Sequence, residues 1–209
     1  MGPSLLRLTR FDAAGAGFDA ALRDRLAPAI GQAPGLHAVI GGRMGPGQDG
    51  PRLVATVWTS REAMEAAMAA GSTIADADPD LLPGSASGPA EVLPIALQLD
   101  AAVDARIAII RVVRGVTRPG QLDGYLDDAR AGVLADRSTG GGPLAFYLAT
   151  DPPDRFVTLS LWGGWSHVEA ATGADHEHVE RTRHADRLAS WTAEHFEVVP
   201  GLAVVRPEG

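Results

Sequence analysis

Two residue types are missing from this chain altogether. It has no cysteine, which excludes disulfides, thiolate zinc sites, iron–sulfur clusters and cysteine nucleophiles. It has no lysine either, so its 18 basic residues are all Arg, and they form no block. Against 26 acidic residues this leaves a net charge of −8, the wrong sign for a surface that binds nucleic-acid phosphates. No apolar run reaches the roughly 18 residues of a membrane span. The opening Met1-Gly2-Pro3-Ser4-Leu5-Leu6-Arg7 is too short and too soon charged for a signal peptide, so the expected location is cytoplasmic. An Arg-only, Ala- and Gly-rich composition points to a GC-rich, bacterial coding source more than to a selected chemistry.

What is present is an ordinary globular composition, 45% hydrophobic over 209 residues, enough for one large domain or two small ones. Sliding the sequence along itself finds an internal repeat. At a shift of 104, Leu6, Arg7, Leu8 and Arg10 fall on Ile110, Arg111, Val112 and Arg114. Phe18, Asp19 and Leu22 then meet Leu122, Asp123 and Leu126; Trp58 meets Trp162, and Glu65-Ala66-Ala67 meets Glu169-Ala170-Ala171. Glu91-Val92-Leu93-Pro94 matches Glu197-Val198-Val199-Pro200 at a shift of 106. The two copies are read as residues 1–98 and 105–209, joined by a short linker within Leu99 to Ala105.

Each copy reads as strand, helix, strand, strand, helix, strand. The first strands are the β-rich runs Leu5 to Phe11 and Arg106 to Val113. The first helices carry apolar stripes at helical spacing, Phe18, Leu22, Leu26, Ala29 and Ile30 in one copy and Leu122, Leu126, Ala129 and Val133 in the other. Second strands are expected at Leu36 to Arg43 and Leu144 to Ala149, and third strands at Arg52 to Trp58 and Phe156 to Trp162. Second helices start near Ser60 and Ser166. The stretch Asp76 to Pro89, rich in Asp, Pro, Gly and Ser, reads as an irregular connection, either a lid or a solvated loop. The fold expected is α+β: two tandem ferredoxin-like βαββαβ repeats closing on each other as an intramolecular dimeric α+β barrel.

Strand alternation sorts each sheet into two faces. The aliphatic parity, Leu6, Leu8, Leu53, Ala55 and Val57 with Ile110, Val112, Val157, Leu159 and Leu161, is assigned to the helix side. The other parity, assigned to the face that meets the partner sheet, collects Arg7, Arg111, Thr56, Thr158, Ser160, His37, Tyr147, Trp58 and Trp162. Burying such groups costs roughly 1 to 3 kcal/mol each unless they are paired, so a ligand pocket explains the set economically. The alternative is structural. Arg7 and Arg111 would then pair with acids such as Glu91 or Glu197, the hydroxyls would bond to backbone, and the repeated Trp would be packing anchors.

The strand-ending Trp58, followed by Thr59-Ser60-Arg61-Glu62-Ala63-Met64, and Trp162, followed by a helix with Glu169 and several His, resemble the antibiotic biosynthesis monooxygenase family. That family belongs to the dimeric α+β barrel, ferredoxin-like superfamily, whose members usually build the barrel from two chains. The resemblance implies oxidation of small aromatics such as quinols or anthrones, often with no metal or flavin. Tyr147, Trp162, His37 and Arg111 become the candidate catalytic residues, with Arg7, Trp58, Thr158 and Ser160 as candidate ligand-binding residues. A related branch binds and degrades haem, using an Asn on the first strand, a Trp inside the second helix and a ligand His further along it. Here Arg7 and Arg111 stand on the first strands and Ala171 at the helical Trp position, a departure from the haem-degrading pattern. His176, His178 and His184 are the haem or metal candidates, although none are four apart, and the favoured explanation of them is a solvated helix laced with Glu177, Glu180, Arg181, Arg183, Asp186 and Arg187.

The leading expectation is thus a cofactor-independent monooxygenase-like enzyme with its pocket in the second copy. A non-catalytic small-ligand or haem-binding barrel is the alternative. The expected partners are a small aromatic molecule and, at most, a second copy of the chain, with neither nucleic acid nor membrane.

Overall fold

In the computed structural model, residues 4–14, 17–26, 28, 32–45, 50–69, 84–86, 88–101, 105–172 and 184–206 are described. The elements follow the expected order. They are β1 (Leu5–Ala14), α1 (Phe18–Ala21) running into a π turn (Leu22–Leu26), β2 (Leu36–Arg43), β3 (Arg52–Trp58), α2 (Arg61–Ala69), β4 (Gly84–Ala86) and β5 (Glu91–Leu99). The second half continues with β6 (Ile109–Thr117), α3 (Leu122–Ser138), β7 (Ala145–Asp151), β8 (Arg155–Trp162), α4 (Trp165–Thr172), a 3-10 turn (Ala185–Arg187) and β9 (Leu188–Val205). Local chemistry explains the boundaries. Ser60 accepts from the Ala63 amide at 3.2 Å, as an N-cap does, so α2 starts where its sequence predicts. Asp123 in the first turn of α3 and Arg137 in its last suit the helix dipole.

The chain forms two compact units, one comprising the described residues up to Pro94 with those from Phe196 onward, the other Ile95 to His195. In the first unit β1 pairs antiparallel with β3 and with Glu91 to Pro94 of β5, and β3 pairs with β2. The free edge of β2 is taken by the C-terminal half of β9, Gly42 opposite Val198 and Ala38 opposite Val205. The second unit repeats the plan. There β6 pairs with β8, β8 with β7, and the edge of β7 is taken by Ile95 to Leu99 of β5. β9 also neighbours β6. Each copy's fourth strand therefore begins in its own unit and ends in the other.

This double duty corrects the match read for the last strands. Gly42 lies opposite Leu53 and Val198, whereas Ala149, opposite Val157 and Ile95, holds the same place in the second unit. Val198 is the counterpart of Ile95, not of Val92. β9 also begins well before the short final strand expected from the sequence. The expected irregular connection contains β4, three residues that pair with β1 beside Phe11; residues 76–83 and 87 of it lie outside the described set. The second half's first strand runs Ile109–Thr117, starting and ending later than predicted.

The facing assignment of the first and third strands is reversed. Phe18, Leu22, Met64 and Ala67 of the first unit's helical segments pack with Leu5, Phe11, Val54 and Trp58, so the helices cover the parity that carries Arg7 and Thr56. Tyr125, Ala129 and Val133 of α3 likewise pack on Val113, Phe146, Leu148 and Phe156. The aliphatic parity is buried on the opposite face, with Leu6, Ala55, Val57, Ile110, Val112, Leu159 and Leu161 all fully buried. Alternation defines two faces without saying which one a helix will cover.

The copies differ most at one cross-strand pair. Phe11 faces Arg52 in the first unit, and Gly115 faces Phe156 in the second, at the same register. A Cβ at Gly115 would lie 2.4 Å from the Phe156 ring, so the small residue makes room for the large one. In the first copy the large residue is Phe11, its ring 4.9 Å from that of Phe18. Arg52, 1% exposed, instead donates to Asp19 at 2.7 Å and to the Gly50 carbonyl at 2.6 Å. Removing one partner of such a pair leaves a buried charge uncompensated. Asp19→Ala is expected to lower unfolding free energy by about 3 kcal/mol, and Asp19→Ala with Arg52→Met to recover most of it, as read by urea denaturation.

Candidate functional site

The second unit holds a cavity of ≈ 380 Å³ between its sheet and α3, a volume in the range of small-ligand sites. Its floor is built by strand alternation. Arg111 and Ser160 are cross-strand partners, as are Phe146 and Ser160, so one row of the sheet presents Phe146, Ser160 and Arg111 to the helices. Thr158, opposite Val113, extends the floor, and Trp162 closes one end. Tyr125, Ala129, Gly132, Val133 and Asp136 of α3 form the roof, and Trp191 of β9, His184, Ala185, Pro143 and the end of α4 at Ala171 and Thr172 also line it.

The Trp residues owe their orientation to a neighbour on the same strand face. Trp162 donates its indole N–H to Ser160 Oγ at 2.9 Å, and Ser160 donates to the Arg111 carbonyl at 3.3 Å. Trp58 does the same with Thr56 at 2.9 Å. The Ser160 bond to backbone is the alternative foreseen for the buried hydroxyls, and the indole bond leaves the Trp162 ring as an apolar wall. Arg7 donates to Thr9 at 3.0 Å, and Glu197 pairs with Arg43 at 3.5 Å.

Arg111 is 8% exposed, and burial pulls its pKa down to about 10, with the neighbouring Tyr125 opposing the shift. It remains a cation at neutral pH, in a cavity whose walls are mostly apolar. Burial and then the charge of Arg111 push His195 down to about 4, so this imidazole is neutral at pH 7. Its ring lies 5.4 Å from that of Trp165, and its Nε2 is buried without a hydrogen-bond partner among the described residues.

Of the candidate catalytic residues, the structure brings together Arg111 and Trp162, with Thr158 and Ser160 from the ligand-binding set. Tyr147 points from the reverse face of the same sheet, opposite Leu159, where its hydroxyl donates to Asp100 at 3.1 Å. Burial first, then the Asp100 charge and this bond, push its pKa far up, so it stays a neutral phenol. His37, Arg7 and Trp58 belong to the first unit, where all three are buried. His176 and His178 lie outside the described residues. His184 lines the cavity from a left-handed turn residue (φ 61°) rather than from the helix expected there. Among the described residues no group of three or more His, Asp or Glu is placed to hold a metal ion, and no helix is long and apolar enough to cross a membrane.

Sequence reading missed Tyr125, Asp136, Trp191 and His195. The first two lie one position off the Leu122, Leu126 stripe, on the face with Ala129 and Val133. Trp191, Ala193 and His195 alternate along β9, a period-two signal in a stretch where the sequence reading places no element.

Two measurements check these environments. Tyr147→Phe is expected to cost about 1 to 3 kcal/mol of stability by leaving Asp100 short of a donor, with no change in the affinity of a ligand held in the cavity. His195 takes up a proton near pH 6.5 when unfolded but only near pH 4 when folded. The folded state is therefore unpenalised above pH 6.5, loses stability as pH falls from 6.5 to 4, and changes no further on this account below that. His195→Leu should flatten that limb of the stability-versus-pH curve by up to one proton's slope.

No family model matches the sequence, and no curated protein is similar to it. Solved structures do match. A candidate monooxygenase from Fusobacterium nucleatum superposes with a TM-score of 0.72 at 12% identity, covering 100% of this chain and 97% of its own. A second candidate monooxygenase, from Lactobacillus acidophilus, gives 0.70 at 9% identity over 98% and 100%. A ferredoxin-fold protein from Listeria monocytogenes, described as related to antibiotic biosynthesis monooxygenases, gives 0.55 at 9% over 100% and 97%. Weaker matches include an anthrone oxidase-like protein at 0.54 and a haem-degrading enzyme of Listeria monocytogenes at 0.50, with 13% and 9% identity. In its sheets, strand order and helices, the chain shares the ferredoxin-like α+β fold of these solved structures.

Proposed function

We propose that this protein is a monooxygenase-like enzyme that oxidises a small aromatic or quinol substrate in the second unit's cavity, without metal or flavin. The observation that carries this reading is the pairing of one buried cation, Arg111, with the aromatic walls Tyr125, Phe146, Trp162 and Trp191. The walls suit a flat ring. Arg111 suits the oxygen of that ring once it has lost its proton, because a cation within about 4 to 6 Å favours the charged form of an acid. The resulting anion is electron-rich enough to reduce dioxygen. For an anthrone-type methylene the balance closes without a reductant: CH2 and O2 give C=O and H2O, the substrate supplying all four electrons. Tyr147, a neutral phenol on the other sheet face, has no part in this scheme.

A second reading, a haem-binding barrel, draws on His184. This ring lines the cavity with Nδ1 3.7 Å from Asp128, so Nε2 is the nitrogen that would be offered to an iron. Haem would supply redox chemistry at that nitrogen, and Arg111 is the cation within the cavity for a propionate.

Oxygen uptake with a panel of quinols and anthrones separates the two. The enzyme reading expects uptake, and a fall of roughly 100-fold or more in kcat/KM for Arg111→Gln, the scale of losing an oxyanion donor. Absence of uptake, together with a Soret band on adding haem that His184→Ala removes, would replace it with the haem reading.

A further inference from the structure

Two residues break the pattern of the elements that carry them, and both face the same cavity. On β6 the parity that faces the helices runs Ile109, Arg111, Val113, with the cation where an apolar side chain is expected. On α3 the inward stripe runs Tyr125, Ala129, Gly132, Val133, Asp136, at the helical intervals of four, three, one and three. The α3 stripe is apolar or small until its last member, which is a carboxylate. The other acids of this helix, Asp123 and Asp127, are exposed, while Asp128 holds Arg187 and lies 3.7 Å from His184. Departures from binary patterning that converge on one space mark a functional site, because stability alone selects against them.

The loop after α3 is shaped around Asp136. Gly142 has φ +82°, and a Cβ there would stand 2.7 Å from the Asp136 Cβ, so only glycine allows the chain to pass so close. Pro143, next along, also lines the cavity. Asp136 is thereby held at the rim of the roof, while Arg111 sits in the floor. The other walls are mostly apolar, Ala129, Gly132, Val113 and Phe146 among them, with the Ser160 and Thr158 hydroxyls in the floor. A ligand in this slot meets a positive group on one wall and a negative group on the other.

Resting on the reading of this cavity as the substrate site, we propose that it selects dihydroxyaromatic molecules bound as monoanions. One oxygen is ionised against Arg111, and the second hydroxyl remains protonated and donates to Asp136. The same arrangement rejects aromatic hydroxy acids, whose carboxylate would meet Asp136 as a like charge. Specificity of this kind comes as much from the repulsive contact as from the attractive one.

Anaerobic titration calorimetry tests this without turnover. Naphthalenediols of the 1,4, 1,5 and 2,6 patterns are compared with the hydroxynaphthoates and the monomethyl ethers of the same patterns. At least one diol is expected to bind about tenfold or more tighter than its monomethyl ether, and tighter still than its hydroxynaphthoate. Asp136→Asn should reduce the discrimination against the hydroxynaphthoate by about tenfold or more, and Arg111→Gln should weaken every hydroxylated probe. Hydroxynaphthoates binding the native protein as tightly as the diols would overturn the proposal with no variant needed. So would an unchanged order of affinities in a folded Asp136→Asn. The oxygen electrode keeps the two claims apart: selective binding without uptake refutes the oxidation alone, and uptake without this selectivity refutes the present inference alone.

Discussion

The structure depends on two strands doing the work of four. β5 and β9 each begin as the fourth strand of their own βαββ unit and continue as the edge partner of the other unit's second strand. Without that continuation β2 and β7 would each expose a row of unpaired N–H and C=O groups, the liability every open sheet must cover. The 18-residue length of β9 follows from this, as do the shifts in register where it passes along β2.

Once the frame is fixed, the two units are free to diverge on the helix side. In the first, Phe11 and Phe18 fill the layer and Arg52 is locked to Asp19. In the second, Gly115 yields its space to Phe156, and the 17-residue α3 lays Ala129 and Gly132 over the floor. Small roof residues above a floor bearing Arg111 leave a cavity instead of a core. The hydroxyl beside each Trp is a feature the two layers have in common: Thr56 and Ser160 both accept the indole N–H two residues on, whether or not a cavity adjoins the ring.

Electrostatics sharpen the contrast. Arg111 keeps its charge in a desolvated place, and that charge adds to the burial that keeps the adjacent His195 neutral. On the reverse face Arg114 meets Glu194 at 2.6 Å and Tyr147 meets Asp100, ordinary solutions to partial burial.

The amino-acid sequence by itself determined the repeat, the order of the elements, the limits of β2 and β3 and the strand-ending Trp residues, because hydrophobic period and turn chemistry are local properties. It also marked Arg111, Thr158, Ser160 and Trp162 as one set, since alternation puts them on one side of a sheet. Which side that was, only the tertiary structure decided: helix packing chooses a face, and period two is the same seen from either. The same limit hid Tyr147, whose parity on β7 looked equivalent to that of Trp162 but is opposite to it once Phe146 is paired with Ser160. Asp136, Trp191 and His195 joined the site only through the packing of α3 and β9 against β6, contacts between residues far apart in the chain that no local pattern encodes.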